Sequence, residues 1–389
     1  MLGKKKSVSY NLINKQDLNS REVVGFCMNR KTYLVILVIA LGVFSQALWA
    51  ERSEVDRFKA LHDKIKTEDY FRPIDHAFYF DITGRQSKHL LRLIKEGEDA
   101  SKQDQATVTQ FLLRNMNTEH YGNVHAKLGF PLPRFTIKGV AFTPDIRGNY
   151  DLAASLSITQ LSTPTVFFGI LIAKNDPFIQ LYIKNDQKYG LNLVMAPHPD
   201  WEATMYMYYM KRWDILETIT ASQLINNQKV TNLDRAKNWV ESVTADFRLD
   251  YDYGDSQFFI AIEELRIQEL RSNTTEAGRL YFGDNVPLFR FQAQRDIAFD
   301  WWKFKLFTGI HKRSGYVPGK GIYLGSEVYL GETPFSTLFM QDREYLTFNP
   351  RFRWKFLELE YIGKFPTSKT TDGNARTATL HGVNLRISI

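Results

Sequence analysis

Hydrophobic and polar residues alternate along most of the chain, from about residue 120 to the C-terminus. The clearest runs lie at 121–130, 151–159, 243–253, 302–306 and 351–356. Successive side chains of a β-strand point to opposite faces of the sheet, so a period of two predicts strands with one apolar and one polar face. Turn residues such as Asn175-Asp176-Pro177 separate the runs. The pattern predicts a mainly β protein of about twelve to fourteen strands.

The alternation changes phase at one point in the last third of the chain. Apolar residues are adjacent at Phe356 and Leu357, after which Leu359 and Tyr361 alternate with Glu358 and Glu360. A β-bulge would restore a common apolar face and would direct both glutamates to the polar face. The alternative is a strand end at this point. The absence of a turn residue between Phe352 and Ile362 favours the bulge.

Strand length and the distribution of aromatic residues favour a membrane-spanning barrel over a soluble sandwich. Several runs have ten or more residues, which matches the roughly nine to eleven that a tilted membrane strand needs. Aromatic residues at the ends of strands are typical of the interfacial girdles of such barrels. The aromatic residues in question lie at 205–209, Tyr251, Tyr253, Trp301, Trp302 and Trp354.

The C-terminus adds a third indication, because the chain ends inside an alternating run at 375–389. This run resembles the terminal strand of bacterial outer-membrane β-barrel proteins, although it ends in Ile389 instead of the usual aromatic residue. The resemblance covers roughly residues 120–389 together with the signal peptide described below. It implies a closed antiparallel transmembrane β-barrel in the outer membrane, in contact with lipid and inserted by the barrel assembly machinery. A closed barrel requires the terminal strand to pair with an early strand, and we expect that strand to be 121–130.

A helical pattern precedes the strands. Four apolar residues recur every three to four positions among charged ones, which predicts an amphipathic helix; they are Val55, Phe58, Leu61 and Ile65. Further helical stretches lie at 90–94 and 108–116, and a short strand-like piece lies at 78–82. We expect the apolar stripe to pack on the later helices as a small unit in or at the mouth of the barrel. A helix lying on the membrane surface is the alternative.

The first fifty residues have the features of an export signal. Asn29-Arg30-Lys31 precedes an uncharged run at 33–44, and small residues then lead to cleavage after Ala47 or Ala50. An uncleaved membrane anchor is the alternative. Translation starts at Met1 or Met28, so residues 1–27 are a leader or lie upstream of the true start. The chain therefore divides into residues 1–50 as leader and signal, 51–117 as a helical segment that is a plug or periplasmic, and 118–389 as the barrel.

Composition narrows the possible functions. The net charge is +7, but residues 1–50 carry seven basic and two acidic residues, which leaves 43 basic and 41 acidic residues in the remainder. Most of the excess charge therefore belongs to the leader, and no nucleic-acid partner is expected. Cys27 is the only cysteine, which excludes an intrachain disulfide and a cysteine-rich zinc site. Because Cys27 precedes the apolar run, a lipoprotein anchor is also excluded.

If the apolar residues of the alternating strands face lipid, the charged residues between them line the lumen. The predicted pore-lining residues are Arg212, Arg248, Asp250, Asp252, Arg290, Lys303, Lys305, Arg351, Arg353 and Lys355. Such charges can form a selectivity filter for solutes. Alternatively, they form cross-strand ion pairs that have no solute preference.

No catalytic, cofactor or metal site is predicted. The run at 311–314 contains His311 and Ser314 but no evident acidic partner, so it reads as an exposed basic loop and a hydrolase is the least favoured function. His120 and His125 should face opposite sides of one strand and cannot share a metal. The sequence therefore predicts a porin-like channel for small polar or amphipathic solutes. A non-transporting anchor or surface-interaction barrel is the alternative.

Overall fold

The computed structural model describes residues 54–67, 76–160, 165–167, 170–172, 177–225, 238–273, 286–299, 301–313, 319–367 and 376–389. The predicted signal peptide, with Ala47 and Ala50, lies outside these ranges. The helices are α1 (Glu54–Thr67), α2 (Leu90–Ser101), α3 (Gln105–Arg114) and α4 (Ala221–Ile225). Among the described residues, no helix combines the length and hydropathy needed to cross a bilayer.

Strands account for most of the described residues. They are β1 (Tyr79–Ser87), β2 (Thr118–Pro131), β3 (Phe135–Ile137), β4 (Val140–Gln160), β5 (Thr165–Phe167), β6 (Ile170–Ile172), β7 (Pro177–His198), β8 (Trp201–Thr220), β9 (Asn238–Tyr253), β10 (Ser256–Ser272), β11 (Leu288–Ala298), β12 (Trp302–Arg313), β13 (Ile322–Leu330), β14 (Phe335–Asp342), β15 (Tyr345–Trp354), β16 (Leu357–Pro366), β17 (Arg376–Thr377) and β18 (Leu380–Ser388). Fourteen of them form a closed antiparallel barrel, as predicted. The short β3, β5, β6 and β17 lie outside the ring.

The terminal strand closes the barrel against an earlier strand than the sequence indicated. β18 pairs with β1, with Asp81 opposite Arg386, and β1 then pairs with β2. The expectation that the terminal strand would pair directly with 121–130 is therefore wrong. The piece at 78–82 is extended, as predicted, but it belongs to the barrel wall, so strand residues of the barrel begin before residue 118.

The two faces of the wall have opposite polarity, as β1 illustrates. Tyr79, Asp81, Thr83 and Arg85 are buried, whereas Phe80 and Ile82 between them are exposed. Other exposed apolar residues on the same outer face include Leu191, Leu249, Phe291, Leu324, Leu359 and Val383. An apolar exterior around a charged interior is the arrangement of a transmembrane barrel and the reverse of a soluble one.

The two ends of the barrel differ in their connections. At the end that carries Ile389, turns of two to four residues join β7 to β8, β9 to β10, β11 to β12, β13 to β14 and β15 to β16. We call this the short-turn end. The strand ends that lead into the longer connections, those at Ser87, Gln160, Thr220, Ser272 and Pro366, all lie at the opposite end, which we call the long-loop end. Aromatic pairs such as Trp201–Tyr251, 4.5 Å between ring centroids, lie at the short-turn end, as predicted for an interfacial girdle.

Two aromatic residues predicted for the girdle face the lumen instead. The hydroxyl of Tyr208 donates a hydrogen bond to Asp246 at 2.9 Å, and the hydroxyl of Tyr206 donates to the carbonyl oxygen of Arg147 at 3.3 Å. Both rings are buried and are stacked 4.5 Å apart. The sequence of this strand has aromatic residues on both faces, so alternation alone does not separate them.

Candidate functional site

Helix α1 lies inside the barrel lumen, and Phe58, Leu61 and Ile65 of its apolar stripe pack on the inner wall. The ring of Phe58 packs edge-on against Tyr182, with 4.7 Å between ring centroids, and lies 5.6 Å from Tyr121 by the same measure. Leu61 and Ile65 belong to the same buried cluster, which includes Tyr345 on β15. The expected packing of this stripe on the later helices is therefore wrong. The inner wall supplies aromatic side chains for the stripe, which the polar alternation of the strands did not reveal.

The charged side of α1 is matched to the wall by ion pairs. Asp63 accepts two hydrogen bonds from Arg313 on β12, from Nε and Nη2, both at 2.9 Å. Lys64 donates to Asp342 at 3.0 Å and to Glu344 at 2.7 Å. Lys320 adds a second cation near Glu344 at 3.0 Å. Burial disfavours the charged form of Glu344, but the two lysines outweigh it and lower its pKa to about 2.

A single glutamate on β10 joins much of this charge network. The register of β10 against β9 shifts between Ile262 and Leu265, and Glu264 has a φ of 57°. Such a bulge changes the direction of a side chain. The Glu264 carboxylate lies close to four cationic groups: Lys66 of α1 at 2.7 Å, Lys188 at 3.2 Å, Arg212 at 3.0 Å and Arg313 at 3.2 Å.

A histidine of α1 completes the contact with β4 and β7. His62 Nε2 lies 3.0 Å from Asp151 and 3.3 Å from Lys184, and its Nδ1 lies 3.1 Å from the hydroxyl of Tyr121. His125 approaches the other oxygen of Asp151 at 3.6 Å. Burial and the nearby Lys184 charge lower the pKa of His62 from its ordinary value of 6.5 to about 4. The helix is therefore docked with a neutral histidine at neutral pH.

The structure places nine of the ten predicted lining residues on inner-facing strand positions. Arg212 and Arg290 are buried beside α1: Arg212 pairs with Asp186 and Glu264, and Arg290 donates to Thr67. Arg351 joins Glu327 and Glu360 at 2.6 and 3.0 Å. The remaining six lie on the inner face of the short-turn half; they are Arg248, Asp250, Asp252, Lys303, Lys305 and Arg353.

Lys355 is the exception, because the phase slip is a turn and not a bulge. Trp354 pairs with Leu357, so Lys355 and Phe356 form a two-residue hairpin turn, and Lys355 has a φ of 52°. The favoured bulge at Phe356-Leu357 is therefore wrong. The two glutamates nevertheless face inward, since an antiparallel hairpin places Glu358 opposite Arg353 and Glu360 opposite Arg351.

Several residues that hold α1 are not among the predicted lining residues. Lys184 donates to Asp186 at 2.6 Å, and Asp186 accepts two hydrogen bonds from Arg212. The alternation of Lys184, Asp186 and Lys188 carries the same signal that identified the lining residues elsewhere. Glu264 had no such signal, because a bulge breaks the period of two at its position.

The histidines weighed for catalysis and metal binding all lie on strands of the barrel wall. His311 and Arg313, expected in an exposed loop, are buried in the lumen on β12, where His311 lies 3.2 Å from Thr67 of α1. Ser314 lies outside the described residues. His125 faces the lumen and His120 the outer side, as expected from the strand period. No group of three or more His, Cys, Asp or Glu side chains suited to a metal ion occurs among the described residues.

Comparison with known proteins gives similarity of fold only. No protein-family model and no curated protein sequence matches the chain. The transport unit of the autotransporter AIDA-I from Escherichia coli is 9% identical, with a TM-score of 0.39, over 87% of this chain and 100% of that one. The TodX deltaS2S3 mutant monoaromatic hydrocarbon channel is 10% identical, with a TM-score of 0.39, over 82% and 92%.

A third similar structure is the outer membrane phospholipase OMPLA from Salmonella typhi. It is 10% identical, with a TM-score of 0.31, and the match covers 85% of this chain and 97% of that one. The solved structures of similar fold are outer-membrane β-barrels, and no specific family is identified. Their individual activities differ and are not transferred to this chain.

Proposed function

We propose that the protein is an outer-membrane channel for small polar or amphipathic solutes, with α1 as a plug in its lumen. The observation that carries the proposal is the docking of α1 by ion pairs between its charged side and the wall. Water and ions can replace such contacts when a helix leaves, whereas a large apolar core would resist separation. The charged wall then lines an aqueous path.

The charge of α1 predicts how the opened channel discriminates between cations and anions. Residues 58–67 contain three lysines and one aspartate, a net charge of +2 without His62. Their removal exposes wall groups of both signs, the acids Asp151, Glu264, Asp342 and Glu344 and the cations Arg313, Arg290 and Lys184. Because it takes net positive charge out of the lumen, we expect the opened channel to be more permeable to cations than the plugged one.

Conductance in a planar bilayer tests the proposal. A variant that lacks residues 51–67 should insert as a folded barrel and show larger and more frequent openings than the full chain, with a reversal potential shifted toward cation preference. The control is Lys102→Gln, which breaks an exposed pair with Glu98 outside the lumen and should leave the conductance unchanged. A folded 51–67 deletion that conducts no better than the full chain would reject the plug, and a folded deletion that does not conduct would also reject the channel.

The presence of α1 in the lumen also supports one alternative function, that of a barrel that does not transport. A barrel that remains filled conducts no solute, and it would instead serve as an anchor or as a platform for surface interactions through the long-loop end. On either proposal the chain is exported by a signal peptide cleaved after Ala47 or Ala50 and is inserted by the barrel assembly machinery. Neither function requires a cofactor or a catalytic residue.

A further inference from the structure

Helices α2 and α3 pack on the outer wall at the long-loop end, separately from α1. Phe111 and Leu112 of α3 and Leu93 of α2 form a buried cluster with Ile158 on β4 and Ile179 on β7. The two isoleucines are register partners. They face outward, because residues of opposite parity on these strands, Ala153 and Tyr182, belong to the cluster around Phe58 of α1 inside the lumen.

An apolar cavity of about 210 Å³ lies between these helices and the wall. Leu93, Ile94, Phe111, Leu156, Ile158 and Ile179 contribute most of its lining, with Glu98 and Ser101 also on its surface. Water needs two to four polar partners in a cavity, and an engineered cavity of about 150 Å³ with a similar Leu/Ile/Phe lining stays dry and binds benzene. The volume is below the range of drug-sized sites, roughly 300–1,000 Å³. The chemistry of the cavity therefore fits a narrow hydrocarbon segment.

A glycine keeps α2 close to α3 at this cavity. A Cβ atom on Gly97 would lie 3.2 Å from the ring of Phe111, which is tighter than ordinary packing. Glycine weakens a helix interior relative to alanine, so its use here has a packing reason. The close approach holds the Phe111 ring as one side of the cavity.

The cavity opens toward the surroundings of the barrel at Ile94. This side chain lines the cavity and is 52% exposed, and Leu91, one helical turn earlier on the same face, is 66% exposed. Arg92 and Lys95 are exposed beside them. An exposed apolar stripe flanked by basic residues is typical of a helix at a membrane interface, with the cations near lipid phosphates.

We propose that this cavity binds one acyl chain of a lipid from the surrounding bilayer. The wall beneath it belongs to a membrane-spanning barrel, so bilayer hydrocarbon is the apolar material available at its mouth. The chain enters past Ile94 and lies against Phe111, Ile158 and Ile179. Arg92 and Lys95 are positioned beside the mouth, where the headgroup of such a lipid would lie.

Photocrosslinking of the full chain in lipid vesicles tests the site. The vesicles contain phosphatidylethanolamine and phosphatidylglycerol, with a small fraction of phosphatidylethanolamine that carries a diazirine midway along one acyl chain. Mass spectrometry should locate crosslinks on peptides containing Phe111 and Ile158, in the depth of the cavity. Ser101→Phe adds a ring to the lining and should reduce these crosslinks about tenfold, by excluding two or so methylene groups.

Gln103→Phe is the matched control. Gln103 is exposed and does not line the cavity, so this substitution adds the same ring outside it. It should leave the crosslinks unchanged. If Ser101→Phe does not fold, as judged by gel mobility without boiling, Ile158→Trp fills the cavity from the wall. Two outcomes would overturn the proposal: no crosslinks at Phe111 and Ile158 in the unaltered chain, or undiminished crosslinks in a folded filled variant.

Discussion

Arg313 on β12 and Asp63 on α1 form a pair of parallel hydrogen bonds across the lumen, with Nε–Oδ2 and Nη2–Oδ1 distances of 2.9 Å. The residues are 250 positions apart in the sequence, and both side chains are almost completely buried. Removal of one partner of a buried pair typically costs about 3–5 kcal/mol. Glu264 lies 3.2 Å from Arg313 and would still compensate part of its charge, so loss of Asp63 should weaken the docking of α1 by the lower end of that range.

Asp63→Asn should undock α1 without unfolding the barrel. The amide retains the shape of the carboxylate but removes the charge that faces Arg313. We expect more frequent channel openings in planar bilayers and unchanged gel mobility without boiling. Glu96→Gln is the control, because it breaks an exposed pair with Arg92 at 3.3 Å, and such surface pairs contribute roughly 0–1 kcal/mol. Equal conductance of D63N and the unaltered chain would contradict the role assigned to this pair.

The two adjacent glutamates of the β10 bulge should differ in importance. Glu264 lies within 3.2 Å of four cationic groups, whereas Glu263 pairs with Arg290 at 2.9 Å. Glu264→Gln leaves several buried cations less compensated, so it should lower the temperature of barrel unfolding more than Glu263→Gln. Heat-dependent gel mobility measures both variants. A larger effect of E263Q would show that the Glu264 network is not a main support of the lumen.

Acidification should weaken the docking of α1 through His62. The pKa of His62 falls from 6.5 to about 4 on burial, so the docked helix favours the neutral ring. The docked state of α1 has its full stability above pH 6.5 and loses stability as the pH falls toward 4, because His62 of the undocked helix takes up a proton at a higher pH than His62 of the docked helix. The full difference amounts to about 3 kcal/mol. Channel openings should therefore increase between pH 6.5 and 4.

His62→Gln tests the origin of this pH dependence. The variant should open less steeply with acid over the same pH interval, because His62 no longer takes up a proton, while His311 beside Thr67 and His125 beside Asp151 remain. His198→Gln, at an exposed position in the short-turn half, should retain the response of the unaltered chain. A pH response that persists unchanged in H62Q would assign the effect to another group.

Substitution by arginine distinguishes the two faces of the wall. Phe291 on β11 is 42% exposed on the outer face, and Gln294 on the same strand faces inward, where it is bonded to Gln257. A lipid-facing arginine near the membrane midplane costs about 2–4 kcal/mol and far less in a polar lumen. Phe291→Arg should therefore reduce the yield of folded barrel in vesicles much more than Gln294→Arg. The reverse order would mean that the faces are exchanged.

Several elements of the fold follow from the sequence because they depend on local periodicity. The period of two fixes which residues share a face, so the inward positions of Arg351 and Arg353 could be predicted from their own strand. The helical spacing of Phe58, Leu61 and Ile65 likewise predicted α1. The requirement that backbone groups in lipid pair with one another made closure of the barrel predictable as well.

The tertiary structure alone decided which surfaces meet. Lys355 has a turn conformation that no glycine, asparagine or proline announces, so the phase slip could equally be a bulge. The short β1 closes the ring by pairing with β18. This pairing joins residues about 300 positions apart, so local periodicity could not predict it. The sequence of α1 predicts that its apolar stripe is covered by another surface, but it does not specify which one, because the hydrophobic effect is non-directional. Only the folded barrel brings Tyr121, Tyr182 and Arg313 around that helix, because strands that are distant along the chain become neighbours across a closed lumen.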